Sequence, residues 1–188
     1  MTIYKHYPPH LQKGADKAYK YKILVYPNET YQKDLEKDSY VVVLRNVINE
    51  MNKVRDDIFW TILSPKHIKS LQFENTEQLM INMPSYPNKM RTHFDANEMI
   101  KVIDWRKNDY DIVYSHLPEQ TLALSNLFEN VTHLQPKIIG YSHWFEVDEN
   151  SNYPTTMLAQ NLLGILEMEE CGVNSIWLKD FIIEKSKE

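Results

Sequence analysis

Two copies of one short word carry the residue types best suited to chemistry. Residues 111–119 read DIVYSHLPE and residues 137–146 read KIIGYSHWFE, so Tyr-Ser-His occurs as Tyr114-Ser115-His116 and again as Tyr141-Ser142-His143. A histidine with a pKa of about 6.5 can take a proton from a hydroxyl, or donate to a phosphate, at neutral pH. His116 and His143 are therefore the candidate catalytic residues. The plainer alternative is that each bonds only to its own turn. Glu119 and Glu146 follow the two histidines closely, and a carboxylate can orient an imidazole and stabilise its charged form. Glu119, in the first turn of an expected helix, also suits the helix dipole with no further role. Ser115 and Ser142 add hydroxyls beside the histidines. Trp144 offers a face on which a ring could stack, or a core side chain at a strand end.

Three further candidates lie elsewhere. Arg91 and His93, with Tyr86 and Lys89, sit on a long aromatic and basic loop between Ser85 and Phe94. Loops of this length inside a compact domain are often functional, and arginine can clamp a phosphate or carboxylate with two parallel hydrogen bonds. A solvated loop charge is the competing reading. Asn28, just past the first apolar run, suits hydroxyl contacts and suits a turn equally well. Asp109-Tyr110-Asp111 spells a D-x-D metal motif, but at the entry end of a strand, opposite the histidines. No His-Glu-x-x-His, zinc-type Cys/His spacing, Walker A, G-x-G-x-x-G or serine nucleophile elbow is present, so no metal site and no autonomous dinucleotide or ATP site is expected.

The elements that must position these residues alternate between two periods. Apolar runs at 21–26, 58–63, 78–83, 111–115, 137–142 and 171–174 read as strands. Between them lie helical stripes, the clearest being Tyr40, Val43, Leu44, Val47, Ile48, Met51 and Val54, with Asp38 or Ser39 as cap. A second stripe starts at an Asp95–Glu98 capping pair, a third at Pro118, a fourth after Pro154, and a fifth covers 176–187. Strands alternating with helices imply a three-layer α/β, Rossmann-like domain over 21–188, with a mostly parallel sheet of five or six strands and helices on both faces. Residues 1–20, broken by Pro8 and Pro9, read as an amino-terminal arm. A strand–helix–strand unit makes its strands parallel, so both histidines leave the same sheet edge. Ligands of open α/β sheets bind outside the carboxyl ends of the strands.

Composition narrows the class. The 188 residues are 43% hydrophobic and 25% charged, as expected of one globular domain. No apolar run is long enough for a membrane span, and the amino terminus lacks the apolar core of a signal peptide. A net charge of −5 argues against a nucleic-acid partner, which needs clustered Lys and Arg. Cys171 is the single cysteine, which fits a reducing, cytoplasmic location.

The order of the elements resembles the amino-terminal half of GT-B glycosyltransferases, enzymes built from two facing Rossmann-like domains. YKILVYPN is similar to their first strand, DIVYSHLPEQTLAL to the strand and turn often written D-V-V-H-x-H, and KIIGYSHWFE to the next strand, which often ends near a histidine. CGVNSIWLKDFI resembles the strand–serine–helix segment that closes their amino-terminal domain. The likeness spans about Tyr21 to Glu188. It implies sugar transfer from a nucleotide sugar to an acceptor hydroxyl held at the carboxyl edge of this sheet. The partners implied are a sugar or glycosylated acceptor and a nucleotide-sugar co-substrate, with no other cofactor. The donor would sit on a second domain that these residues do not contain, so the chain alone is expected to be inactive. One departure is the loop PNETYQKD after the first strand, which carries no glycine where the family is often glycine-rich. The reading from another class is a non-catalytic Rossmann-like binding or scaffold module, and a small flavodoxin-like domain is a third.

Overall fold

The computed structural model describes residues 19–28, 37–65, 71, 73–81, 94–102, 110–132, 135–143 and 155–187. Among the described residues there are six strands: β1 (Tyr21–Tyr26), β2 (Ile58–Pro65), β3 (Thr76–Ile81), β4 (Ile112–Ser115), β5 (Lys137–Ser142) and β6 (Glu170–Val173). They form one sheet in the order β3-β2-β1-β4-β5-β6, and every pair is parallel. The expected parallel sheet is found, with six strands. Among the described residues five α-helices accompany it: α1 (Ser39–Val54), α2 (Ala96–Val102), α3 (Pro118–Leu127), α4 (Thr155–Leu166) and α5 (Ile176–Lys185). Their order and the sheet define a three-layer, Rossmann-like domain.

The strand order reverses direction between β1 and β4. Crossovers of one hand must then put α1 and α3 on opposite faces, and two separate apolar cores follow. On one face Val25, Ile58 and Ile62 pack with Val41, Leu44 and Ile48 of α1. On the other, Leu24, Leu63 and Val113 pack with Met99 of α2 and with Leu117, Leu124 and Leu127 around α3. The inward face of α1 follows the expected stripe at Tyr40, Leu44, Val47, Ile48 and Met51, but Val41 is fully buried while Val43 is only half-buried and Val54 is 76% exposed. Burial of one such side chain stabilises the fold by roughly 1.5–3 kcal/mol.

Several boundaries differ from those read in the sequence. β3 starts two residues earlier, at Thr76. Asn75 adopts φ 55°, the left-handed region that asparagine tolerates, and the Thr76 hydroxyl donates to the Phe73 carbonyl at 2.9 Å. That turn, not the apolar run, sets the strand's entry. β2 continues through Pro65, because the β1 pairing ends at Ile62 and only β3 flanks the last residues. Proline is tolerated at such an edge. α3 gives way at Phe128 to a π-helical turn, Phe128–Thr132. The last helix buries only Leu178, so it is less amphipathic than its sequence implied.

Candidate functional site

His116 and His143 meet at the carboxyl edge. His116 Nδ1 lies 3.0 Å from His143 Nε2, with both side chains buried. The doubled word does not pair in register. Tyr114 stands opposite Ile139 and Ser115 opposite Gly140, a stagger of two residues. Because the side-chain period of a strand is two, a two-residue offset keeps both histidines on one face while lifting His143 above His116. Continued, that register sets His116 beside Tyr141, and their rings lie 6.4 Å apart. His116 is wholly buried and His143 is 7% exposed. The outer histidine is therefore the one nearer solvent.

The face is fixed by alternation. Tyr114 and Tyr141 belong to the core under α1, so the histidines two residues on face α1 as well. Tyr114 contacts the His116 ring edge-on at 4.3 Å, and Tyr40, from the first turn of α1, does so at 4.8 Å. Tyr40 also lies 6.5 Å from His143, and Tyr141 lies 4.9 Å from it. Two imidazoles thus stand in a box of three tyrosines. Burial, and then the neighbouring His143, hold His116 well below the usual histidine range, so it is neutral. Burial pushes the Tyr114 phenol up to about 12, and it raises Tyr40 further, helped by the nearby Asp38 carboxylate. His116 Nε2 and the Tyr40 hydroxyl are buried without a hydrogen-bond partner among the described residues. Buried polar groups are seldom left so.

The main chain anchors this cluster at the point where the strand order reverses. The His116 amide donates to the Tyr26 carbonyl of β1 at 3.0 Å, and the Asn174 side chain donates to the His143 carbonyl at 2.7 Å. Asp38 caps α1, accepting from the amides of Tyr40 at 3.0 Å and Val41 at 3.3 Å. These bonds hold Tyr40 against the imidazoles.

Ser115, Ser142 and Glu119 lie on the other face. Ser115 shares a 2.8 Å hydrogen bond with Thr121 of α3, whose hydroxyl also reaches the Leu117 carbonyl at 3.1 Å. Ser115 thus braces the turn into α3. The Tyr26 hydroxyl donates to the Gln120 side chain. Ser142 is fully buried with no partner for its hydroxyl among the described residues. Glu119 is buried in the first turn of α3, and His116 is met by His143 instead. Asn28 is buried past the end of β1. Gly164 of α4 packs so tightly on α3 that an added Cβ would sit 1.7 Å from the Pro118 carbonyl oxygen. Arg91, His93, Trp144 and Glu146 lie outside the described residues, as do Tyr86, Lys89 and the arm up to residue 18.

Sequence reasoning missed the tyrosine box. Tyr114 and Tyr141 were legible, since each lies two residues before a histidine and so on its face. Tyr40 was not, because nothing in the sequence pairs the first turn of α1 with the end of β4. Asp111 of the D-x-D string accepts from the Lys22 amide at 2.7 Å, where it ties β1 to β4 at the amino edge; Asp109 lies outside the described residues. Among the described residues no three His, Cys, Asp or Glu side chains gather as metal ligands. Burial pushes the Cys171 thiol up, away from thiolate chemistry. No helix among the described residues is long and apolar enough to cross a membrane.

Fold and site together define a Rossmann-type α/β domain with a buried histidine pair at the carboxyl ends of β4 and β5, beside the reversal of strand order. No model of a known protein family matches the chain, and no curated protein matches it either.

Proposed function

We propose that the chain is the acceptor-side half of a GT-B-type glycosyltransferase of the cytoplasm, working with a second domain that binds a nucleotide sugar. The observation that carries this reading is the His116–His143 contact at the carboxyl edge, beside the reversal of strand order. A general base must be neutral before it acts, and it gains when a fixed neighbour stabilises the cation that forms. His143, the outer member, takes the proton of the acceptor hydroxyl. His116 positions it: once His143 is charged, its Nε2–H donates to the Nδ1 lone pair of the neutral His116. No nucleotide contact is assigned to this half.

The test is sugar transfer from a nucleotide sugar. The chain alone is expected to be inactive, and a protein joining it to a donor-binding domain active, with His143→Ala costing about 10²–10⁴-fold in kcat. Turnover by the chain alone, or full activity of the variant, would sink the proposal.

Burial of both imidazoles favours the second reading, a non-catalytic binding or scaffold module. In that case the histidine pair is a polar brace within the fold, and a joined protein would show no dependence on His143.

A further inference from the structure

α5 is apolar on every side, yet the domain covers only one side of it. Six of its ten residues are large and apolar, and Ile176, Trp177, Leu178, Phe181, Ile182 and Ile183 spread around the whole axis. A helix of that kind belongs in an interior, whereas one packed on a domain surface turns a polar face outward. Here Leu178 alone is buried, with Phe181 and Ile182 half-buried beside it. Ile176 is 79% exposed, Trp177 61% and Ile183 44%.

The helix is held firmly in that position. Ser175 caps it, accepting from the Leu178 amide at 3.1 Å, and Asn174 donates to the His143 carbonyl at 2.7 Å. α5 follows β6, which ends the sheet and pairs with β5 alone among the described strands. The Trp177 ring stacks on Phe181 one turn on, centroids 5.6 Å apart and planes 15° from parallel. An apolar patch fixed in this way in contact with water marks an interaction site.

The order of residues on the outward side identifies what covers it. Opposite Leu178 around the axis stand Ile176, Asp180 and Ile183, flanked by Lys179, and all four are exposed. At positions 176, 179, 180 and 183 this stripe reads apolar, basic, acidic, apolar. Reversed, that order is complementary to itself. A two-fold axis between residues 179 and 180 lays a second α5 antiparallel on the first. Ile176 then stands level with Ile183 of the second copy, and Lys179 level with Asp180 of the second copy. Every such pairing occurs twice, as an isologous contact requires. Parallel pairing would instead set like charges at the same level, which is unfavourable.

We propose that this protein self-associates as a two-fold dimer through antiparallel α5 helices. The partner on this face is a second copy of the same chain, and the association does not depend on sugar transfer. A helix pair about 15 Å long buries less than the ~800 Å² per partner of a standard interface, so the dimer is weak. Trp177, the largest exposed apolar side chain of the helix, flanks the stripe and is the residue expected to dominate the contact.

Sedimentation velocity of the full chain from about 1 to 500 µM tests this, and a monomer–dimer equilibrium with a Kd of about 10–100 µM is expected. Trp177→Ala should raise Kd by about thirtyfold, the loss of one dominant residue. Because Trp177 is exposed, far-ultraviolet circular dichroism should not change, and Ile183→Asp supplies a second break should the first variant be unstable. The charges identify the occupant. The Lys179→Asp and Asp180→Lys proteins each set like charges together and should be monomeric alone. An equimolar mixture of the two should associate with about the affinity of the unaltered chain. Only a second α5 restores binding in that way.

A chain that remains monomeric at about 500 µM overturns the proposal, and another protein or another segment of this chain is then the cover of α5. A dimer that withstands both Trp177→Ala and Ile183→Asp overturns it too, as does a mixture of the charge variants that stays monomeric. Growth beyond the dimer has the same consequence, since a closed two-fold contact forbids it.

Discussion

The imidazoles of His116 and His143 touch because the strands that carry them are out of step by two residues. Tyr114 of β4 pairs with Ile139 of β5, so the second Tyr-Ser-His stands one full pleat period beyond the first. The result is an inner histidine wholly enclosed by tyrosines and an outer one resting on it, Nδ1 to Nε2 at 3.0 Å. A one-residue offset would have sent one histidine to the α3 face.

That contact makes His116 a structural partner of His143. His116→Ala is expected to lower stability by about 2–4 kcal/mol, from the lost packing and from a His143 nitrogen left without this partner. His116→Asn, which can keep an acceptor near Nδ1, is expected to recover part of the loss. Urea unfolding of the three proteins measures this. A loss below about 1 kcal/mol for the alanine variant would mean that the pair is not closely packed in solution.

Acid should weaken the fold through the same residue. His116 is held well below 6.5 by burial and by His143, whereas in the unfolded chain it binds a proton at about 6.5. Between those two values the unfolded state holds more protons, so stability is full above about pH 6.5 and falls as the pH drops below it. The slope from this one group reaches about 1.4 kcal/mol per pH unit. Urea midpoints from pH 7.5 down to 5 should show that slope, and His116→Asn should flatten it. An equal slope in the variant would assign the effect to the other histidines.

Gly164 should refuse alanine. In most exposed helix positions Gly→Ala stabilises by up to about 1 kcal/mol. Here the new Cβ would fall 1.7 Å from the Pro118 carbonyl oxygen, a backbone atom that cannot swing away. α4 would have to lift off the start of α3. A loss of at least about 2 kcal/mol in thermal or urea unfolding is expected, in the range of overpacked sites. A gain would show that the two helices slide freely.

Asp38 carries the entry to α1, and through Tyr40 the wall of the histidine box. Asp38→Ala should cost about 0.5–2 kcal/mol, and Asp38→Ser much less, because serine caps as well. Near-ultraviolet circular dichroism should follow the loss of Tyr40 order in the alanine variant. An unchanged spectrum with unchanged stability would place the cap elsewhere.

Much of this was written locally. The α1 stripe, the strands around the Tyr-Ser-His words and the cap at Asp38 follow from periodicity and residue chemistry. So does the parallel sheet, since strand and helix alternate with crossovers between them. The start of β3 was misplaced because a single left-handed residue, Asn75, outweighs an apolar run in deciding where a strand begins. The π-helical turn after α3 leaves no signature that residue spacing reveals.

From the sequence alone come the α/β class, the two histidines and their arrival at one sheet edge. Alternation of period two also assigns each to a face. Which residues then meet depends on register, strand order and helix packing. Those are settled by how both cores close over the sheet, a sum of many long-range contacts that no local window contains. The tertiary structure therefore decided that His116 lies beneath His143, that Tyr40 closes the box, and that Glu119 stands with α3 while the histidines face α1.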